Sequence, residues 1–241
     1  MKRKDFCYIK IDETNNYIFS SGMEFKDFMN GISEKPKNLL ILQGYPDSCK
    51  RSEKLFLDYI ATEQIEDFIK EDVYGYGDFS WVDFKDTTCF EKISKQEIAE
   101  ILYAGHFWEP MSKFTFNSLN NKYLYKAHDD DWIVKVYVAD IKEYKKVIEY
   151  KILFELKGRK KYIAPIPDEI LNKLYDLFKK GAVIDFEQSS DTSVTIYPIG
   201  NLKYVDDIHS KLDNYRNKEY SCLHINYITR KKTWEMRKKS K

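Results

Sequence analysis

Residues 122–157, with the sequence KYLYKAHDDDWIVKVYVADIKEYKKVIEYKILFELK, contain the arrangement that decides the fold. Two runs rich in aromatic and β-branched residues, 122–127 and 132–138, flank a polar HDDD turn and predict an antiparallel hairpin. Asp140 and Glu143 then have the spacing of a helix N-terminus, and residues 141–157 form the clearest helical pattern in the chain. The stretch therefore predicts a hairpin followed directly by a helix.

The same order returns on both sides of this stretch. Near the N-terminus, strands at 6–11 and 17–20 precede a helix at 23–32 and a strand at 38–44. Near the C-terminus, strands at 183–186 and 194–197 precede a helix at 203–215 and a strand at 222–228. Strands that follow one another in hairpins favour an α+β fold of mainly antiparallel sheets, with helices packed on one face.

Three further helices and one strand complete the prediction. FSWVDF at 79–84 alternates like a strand, and the capping box at 94–97 opens a helix over 95–103. We expect Gly105 to end that helix with a positive φ. Helical patterns also cover 55–72 and 168–180. The glycine-containing break at 73–78 predicts a boundary between an N-terminal α+β subdomain, 1–74, and a central and C-terminal α+β domain, 78–229, before a basic tail, 230–241.

Composition excludes several classes of protein. The 241 residues are 43% hydrophobic and carry a net charge of +1, which is incompatible with general disorder. No run approaches the roughly 18 apolar residues of a membrane span, and none resembles a secretory signal. The four cysteines, Cys7, Cys49, Cys89 and Cys222, form no CxxC pair, so we expect reduced core thiols in a cytoplasmic protein.

The chain carries no phosphate-binding loop, dinucleotide fingerprint, nucleophile elbow, HExxH or EF-hand motif. Common enzyme classes therefore have no local sequence signal, and we expect no cofactor. Two short segments nevertheless combine residues suited to binding. The loop AGHFWEP at 104–110 carries His106, Trp108 and Glu109, and the turn HDDDW at 128–132 carries His128, Asp129, Asp130 and Trp132.

These residues permit three interpretations. We expect His106 and the turn 128–131 to lie at the same end of the sheet, where they would form a single patch for a partner protein. Alternatively, His106, His128, Asp129 and Asp130 hold a divalent cation in a metal-dependent hydrolase or nuclease, or His106 acts as a general base oriented by Glu109. The structural interpretation is that the aspartates form the turn, the aromatic residues enter the core and His106 caps the helix.

The basic residues concentrate at the two ends of the chain. Residues 230–241 carry seven lysines and arginines against Glu235, and Lys2, Arg3 and Lys4 lie at the start. Such ends are typical of a frayed, well-solvated terminus or of a nucleic-acid contact. The second interpretation would use these side chains: Arg230, Lys231, Lys232, Arg237, Lys238 and Lys239.

An acidic body, many aromatic residues and the missing catalytic motifs favour a cytoplasmic, non-catalytic protein-binding module of immunity or inhibitor type. The alternatives are a nucleic-acid-associated protein that uses the basic ends, and a metal-dependent enzyme at the His106 and His128–Asp130 region. The partner expected first is another protein, and charge complementarity would mainly raise its association rate.

Residues 79–140 also resemble a known group of proteins. The elements that carry the likeness are FSWVDF at 79–84, SKQEIAEILYAGH at 94–106, Glu109-Pro110 and YLYKAHDD at 123–130 with Trp132. They are similar to an uncharacterised family of small soluble proteins from Gram-positive spore-formers, some of which carry the label oxalate:formate antiporter. The resemblance implies that the histidine loop and the His-Asp-Asp turn belong to one unit. A transporter does not fit a sequence without a membrane-spanning run.

Overall fold

The computed structural model describes residues 6–47, 49–71, 77–128, 133–157, 163–202, 204, 206–217 and 222–239. It confirms an α+β fold with an antiparallel sheet. The described strands are β1 (Phe6–Asp12), β2 (Tyr17–Ser21), β3 (Asn38–Gln43), β4 (Lys50–Arg51), β5 (Asp58–Ile60), β6 (Phe79–Phe84), β7 (Tyr123–His128), β8 (Ile133–Val138), β9 (Ala182–Ser190), β10 (Ser193–Tyr197), β11 (Cys222–Ile228) and β12 (Thr233–Lys239).

These twelve strands form one sheet in the order β12-β11-β10-β9-β1-β2-β8-β7-β6-β3-β5-β4, and all neighbouring pairs are antiparallel. The first hairpin, β1–β2, lies near the middle of the sheet, between β9 and β8. Residues from the predicted N-terminal subdomain therefore pair with strands from both halves of the predicted central domain. Of the predicted boundary at 73–78, residues 73–76 lie outside the described residues.

The described α-helices are α1 (Phe25–Gly31), α2 (Ile65–Phe68), α3 (Lys95–His106), α4 (Tyr144–Lys157), α5 (Asp168–Phe178) and α6 (Asp207–Asn217). They cover both faces of the sheet, whereas the sequence predicted one. On one face, Cys7, Ile9 and Ile11 of β1 pack in the main core with α1, α4 and α5. The alternate residues, Phe6 and Tyr8, face the opposite side, where they pack with α6.

The opposite face, which we call the α3 face, is divided into two smaller cores. Leu42, Val82 and Ile101 belong to the core beneath α3, whereas Ile208 and Leu212 of α6 cover the strands around β9 and β10. Apolar residues occupy both sides of the central strands, which explains why helices are needed on both faces. Over part of β1, β2 and β8 the described residues of the α3 face line a groove, which forms part of the candidate functional site.

The predicted helix at 55–72 is wrong in its first part. Asp58–Ile60 forms β5 on the edge of β3, and within the described residues 55–71 only Thr62–Gln64 and Ile65–Phe68 are helical. Leu39 pairs with Ile60 and Leu40 with Tyr59. Pairing of residues 58–60 with the edge of β3 therefore outweighs the helical propensity of this segment, whose apolar helical pattern is short.

The interpretation of residues 230–241 as a frayed tail is also wrong. Thr233–Lys239 forms β12, which pairs with β11 along its whole length. Trp234 is buried in the main core, and its indole Nε1 donates to the Ala164 carbonyl at 2.8 Å. One aromatic side chain thus anchors a segment whose composition alone indicates solvent exposure.

Gly105 does not end α3 through a positive φ, because the helix continues to His106. Gly105 instead allows α3 to pack closely against β3, because a Cβ at this position would lie 2.6 Å from Leu42 Cβ. One of the two bonds of the predicted capping box is present, because Ser94 Oγ accepts from Glu97 N–H at 3.1 Å. The Glu97 carboxylate, however, accepts from the backbone and hydroxyl of Ser118, at 3.1 and 2.5 Å, and so ties the helix start to a later loop.

All four cysteines are free thiols, and Cys7, Cys89 and Cys222 are buried as predicted, whereas Cys49 is half-buried. Among the described residues, no helix combines the length and apolar character that crossing a membrane requires.

Candidate functional site

The site lies at the end of the sheet where β6 begins and β7 ends. Phe79 pairs with Ala127, which places Asp78 beside His128. His128 Nδ1 donates to the Asp78 carboxylate, and Gln43 Nε2 donates to the second carboxylate oxygen at 3.1 Å. The Asp78–His128 pair thus joins three neighbouring strands at their ends and fixes the orientation of the imidazole ring.

The loop that follows α3 reaches the same end of the sheet. Because Gly105 lies against Leu42 of β3, the exposed His106 emerges beside the start of β6. There His106 and Asp78 line a surface cavity of about 600 Å³, together with Arg51 and Asp58. The two histidines therefore lie at one end of the sheet, with Asp78 between the cavity and His128.

Lys126 of β7 fixes the end of α3. Its side chain is fully buried, and its ammonium group donates to the carbonyls of Ala104, at 3.2 Å, and Phe107. These carbonyls belong to the helix C-terminus, where the dipole favours a cation. The ammonium also lies 5.2 Å from the centre of the Tyr137 ring. Burial, with a smaller repulsion from Lys135, lowers the pKa of Lys126 to about 8.

A second lysine holds the next part of the loop. Lys135 of β8 stands opposite Lys126, and its ammonium donates to the Trp108 carbonyl. The same ammonium lies 4.9 Å from the centre of the Trp108 ring. Burial lowers the pKa of Lys135, and the charge of Glu109 opposes that shift. Carbonyl bonds and cation–π contacts together hold Trp108 in place.

Trp108 and His128 lie side by side in the lining of a groove on the α3 face. The ring centre of Trp108 lies 4.8 Å from that of His128. Lys10, Phe19 and Lys135 pair across β1, β2 and β8 and form the floor of this groove, which has a volume of about 610 Å³. One wall is the loop 108–110, and the other contains Asn201 and Tyr204, which precede α6.

The structure brings together four of the predicted patch residues. Trp108, Glu109 and His128 line the groove, whereas His106 lines the neighbouring cavity. Glu109 is exposed, and among the described contacts no hydrogen bond joins it to His106. The proposed role of Glu109 in orienting that imidazole therefore has no geometric support.

Asp129, Asp130 and Trp132 lie outside the described residues. Within the described part of the chain, no group of three or more histidine, cysteine or acidic side chains has the arrangement of a metal site. The four-residue site of His106, His128, Asp129 and Asp130 therefore stays a prediction.

Sequence reasoning missed Asp78, Lys126 and two exposed aromatic residues. Asp78 lies at the predicted boundary and gave no signal of its pairing with His128. Lys126 did give one, because it alternates with Tyr125 and Ala127 in an apolar strand and shares its face with Leu124. Tyr45 and Phe56 line the His106 cavity and are 85% and 73% exposed.

The candidate nucleic-acid residues lie at the β12 edge of the sheet, on that strand and the turn before it. Arg230, Lys231 and Lys232 are exposed in the turn, and Arg237 and Lys238 are exposed on the strand. Arg237 also pairs with Glu235 at 2.6 Å. Lys239 is the last residue of β12, and Lys2, Arg3 and Lys4 lie outside the described residues.

No family model matches the chain, and the comparisons with curated proteins and with solved structures also found no match. The likeness of residues 79–140 to the family from spore-formers therefore stays a prediction.

Proposed function

We propose that this chain is a cytoplasmic, non-catalytic protein-binding module of immunity or inhibitor type. Its binding surface is formed by Tyr45, Phe56, His106, Trp108 and His128, which we call the His128 surface. The observation that carries the proposal is the placement of three accessible aromatic residues around the Asp78–His128 pair. Tyr and Trp dominate the energetics of protein interfaces because they combine large apolar area with polar edges.

The extent of the surface supports a macromolecular partner. The His106 cavity and the Trp108 groove lie side by side, with Asp78 in the lining of the first and His128 in the lining of the second. Together they reach from the β4–β5 region to β1. Adjacent depressions with aromatic residues on their rims suit a partner that inserts several side chains at once.

The rigidity of the Trp108 loop supports the same conclusion. Lys126 and Lys135 bond three carbonyls between residues 104 and 108, so the loop is ordered before any partner arrives. An ordered loop loses little conformational entropy on binding, and more of the contact energy then contributes to affinity.

The proposal is tested by photocrosslinking followed by affinity measurement. A photoreactive phenylalanine analogue replaces Tyr45 or Phe56, and a matched control carries it at Phe154, an exposed aromatic residue on α4. We expect positions 45 and 56 to crosslink one protein in lysate of the source cell, and position 154 not to do so.

The crosslinked protein is then purified and its affinity is measured by calorimetry. Trp108→Ala should weaken binding at least tenfold, as expected for an interface hot spot, whereas Phe154→Ala should leave the Kd unchanged. Equal crosslinking at all three positions, or an unchanged Kd for Trp108→Ala, would show that the His128 surface is not the binding surface.

A further inference from the structure

A second group of reactive side chains lies on the α3 face, in the part of the sheet that α6 covers. Cross-strand pairing aligns Asp185 of β9, Thr195 of β10 and His224 of β11 in one row. Cys222 lies two residues before His224, so both side chains project from the same face of β11. None of these residues belongs to the His128 surface, so a role for this group is independent of the proposed function.

The distances within this group are those of hydrogen bonds. Cys222 Sγ lies 3.3 Å from His224 Nε2, and His224 Nδ1 lies 3.3 Å from Thr195 Oγ1. Thr195 Oγ1 in turn donates to the Gln188 carbonyl at 3.1 Å. The sequence predicted Cys222 only as a core residue, because its partner His224 carries no motif.

The direction of these bonds follows from the number of hydrogens. The Thr195 hydroxyl has one hydrogen and donates it to Gln188, so towards His224 the oxygen is an acceptor. In this arrangement His224 Nδ1 is assigned the proton that it donates to Thr195. In the neutral ring the other nitrogen, Nε2, then carries the lone pair, and it lies 3.3 Å from the Cys222 thiol.

A chain of hydrogen bonds thus links a thiol, a base and a group that orients the base. Cys222 is 8% exposed and His224 is half-buried, so the pair lies at the boundary of the core beneath α6. The structure therefore has the geometry to remove the thiol proton at the moment when sulfur attacks an electrophile.

Charged and titratable groups surround the pair from each packed element. Asp185 of β9 is fully buried and receives two hydrogen bonds from Arg216 of α6, at 2.7 and 2.8 Å. Tyr197 of β10 interacts electrostatically with Cys222 and with both members of that ion pair. Arg237 of β12 stands opposite His224. Arg216 also bonds Glu187 at 2.8 Å and Arg237 bonds Glu235 at 2.6 Å, so each cation near the pair is balanced by a carboxylate.

We propose that Cys222 is a nucleophilic thiol, activated by His224, that exchanges with low-molecular-weight disulfides. The Sγ proton passes to His224 Nε2 while Sγ forms a bond to one sulfur of the disulfide. The original sulfur–sulfur bond breaks, and the second sulfur leaves as a thiolate that takes up the proton. The products are a mixed disulfide on Cys222 and one free small thiol, so electrons and protons balance.

The test follows the reaction of the folded protein with dithionitrobenzoate, an aromatic disulfide whose released thiolate is coloured. All variants carry Cys49→Ser, because Cys49 is half-buried whereas Cys7, Cys89 and Cys222 are buried. Peptide mapping locates the mixed disulfide. We expect it on Cys222, with a rate that is half-maximal well below pH 8.5, the ordinary range of a cysteine thiol.

Two variants separate activation from structure. His224→Gln keeps a polar side chain but removes the base, and we expect the rate at pH 7 to fall at least tenfold. At pH 10 its rate should approach that of the parent, since the thiol then ionises unaided. Thr195→Val keeps the shape but removes the acceptor of the Nδ1 proton, and should shift the rate profile to higher pH.

If His224 had only a structural role, His224→Gln would change the rate by a similar factor at every pH. The proposal is overturned if Cys222 remains unmodified in the folded parent, or if its rate is half-maximal at or above pH 8.5. The second criterion uses the parent alone, so it applies even if His224→Gln fails to fold.

Discussion

Lys126 shows how a single residue can hold a site at a measurable cost in stability. Its buried ammonium bonds the carbonyls that end α3, and burial lowers its pKa from 10.5 to about 8. Between these two values the unfolded chain binds a proton that the folded chain does not. The free energy of unfolding therefore rises with pH in this window.

We predict that Lys126→Met removes this rise. From pH 8 to 9.5 the wild type should gain about 1.5 kcal/mol of unfolding free energy relative to the variant, less than the full slope of about 1.36 kcal/mol per pH unit because Lys126 is still half protonated at pH 8. Urea unfolding at several pH values measures the difference. The window ends below pH 10 because buried tyrosines such as Tyr8, whose pKa is raised to about 12, then change stability in the opposite direction.

The exposed Lys85 provides the matched control. Lys85→Met removes the same charge from an exposed side chain, so it shows what the loss of a surface lysine does to the measured profile. Parallel profiles for the wild type and Lys126→Met would mean that Lys126 remains fully protonated in the folded protein.

At the scale of elements, α3 is positioned by the absence of a side chain at Gly105. A methyl group there would meet Leu42 Cβ at 2.6 Å and Leu42 Cδ1 at 2.9 Å. Glycine to alanine in a helix normally stabilises by about 0.5–1 kcal/mol. Gly105→Ala should instead lower the free energy of unfolding by about 1–2 kcal/mol, because overpacking outweighs the helix propensity.

The exposed Ala99 of the same helix calibrates the propensity. Ala99→Gly should destabilise by about 0.5–1 kcal/mol, which is the ordinary cost of glycine in a helix. Thermal and urea unfolding measure both variants. If Gly105→Ala gains what Ala99→Gly loses, α3 does not approach β3 closely enough for a methyl group at position 105 to clash with Leu42.

The elements also show which parts of the fold the sequence could reveal. β3 was predictable as a short, nearly continuous apolar run, and β6 was predictable from the alternation of FSWVDF. β5 and β12 were not, because their pairing depends on strand edges that local patterns do not describe. The ends of β7 and α3 were predicted as neighbours, but the Asp78–His128 pair was not, since it joins residues fifty positions apart.

At the scale of the whole molecule, an open antiparallel sheet must end in two edge strands. One edge is β4, which has only two residues, Lys50 and Arg51. The other is β12, which has seven, and its outer backbone groups face no further strand of the described sheet. A long unprotected edge invites pairing with a second molecule, and proteins prevent it with short strands and charges.

The basic residues of β12 therefore have a physical role that requires no nucleic acid. Arg237 and Lys238 are exposed on opposite faces of the edge strand, so their charges would repel the same strand of another copy. Nucleic-acid binding predicts a different pattern, since phosphate contacts depend on the number of positive charges in the turn and the strand together.

We predict that Arg237→Thr with Lys238→Thr makes the protein self-associate as its concentration rises, because threonine keeps the strand but removes the charges. The control makes the same two changes at Arg230 and Lys231, which are exposed in the preceding turn. Sedimentation velocity should show larger species for the strand variant alone. Fluorescence polarisation with a labelled single-stranded oligonucleotide completes the comparison: if both variants lose salt-dependent binding equally and neither self-associates, the residues contact phosphate and do not protect the edge.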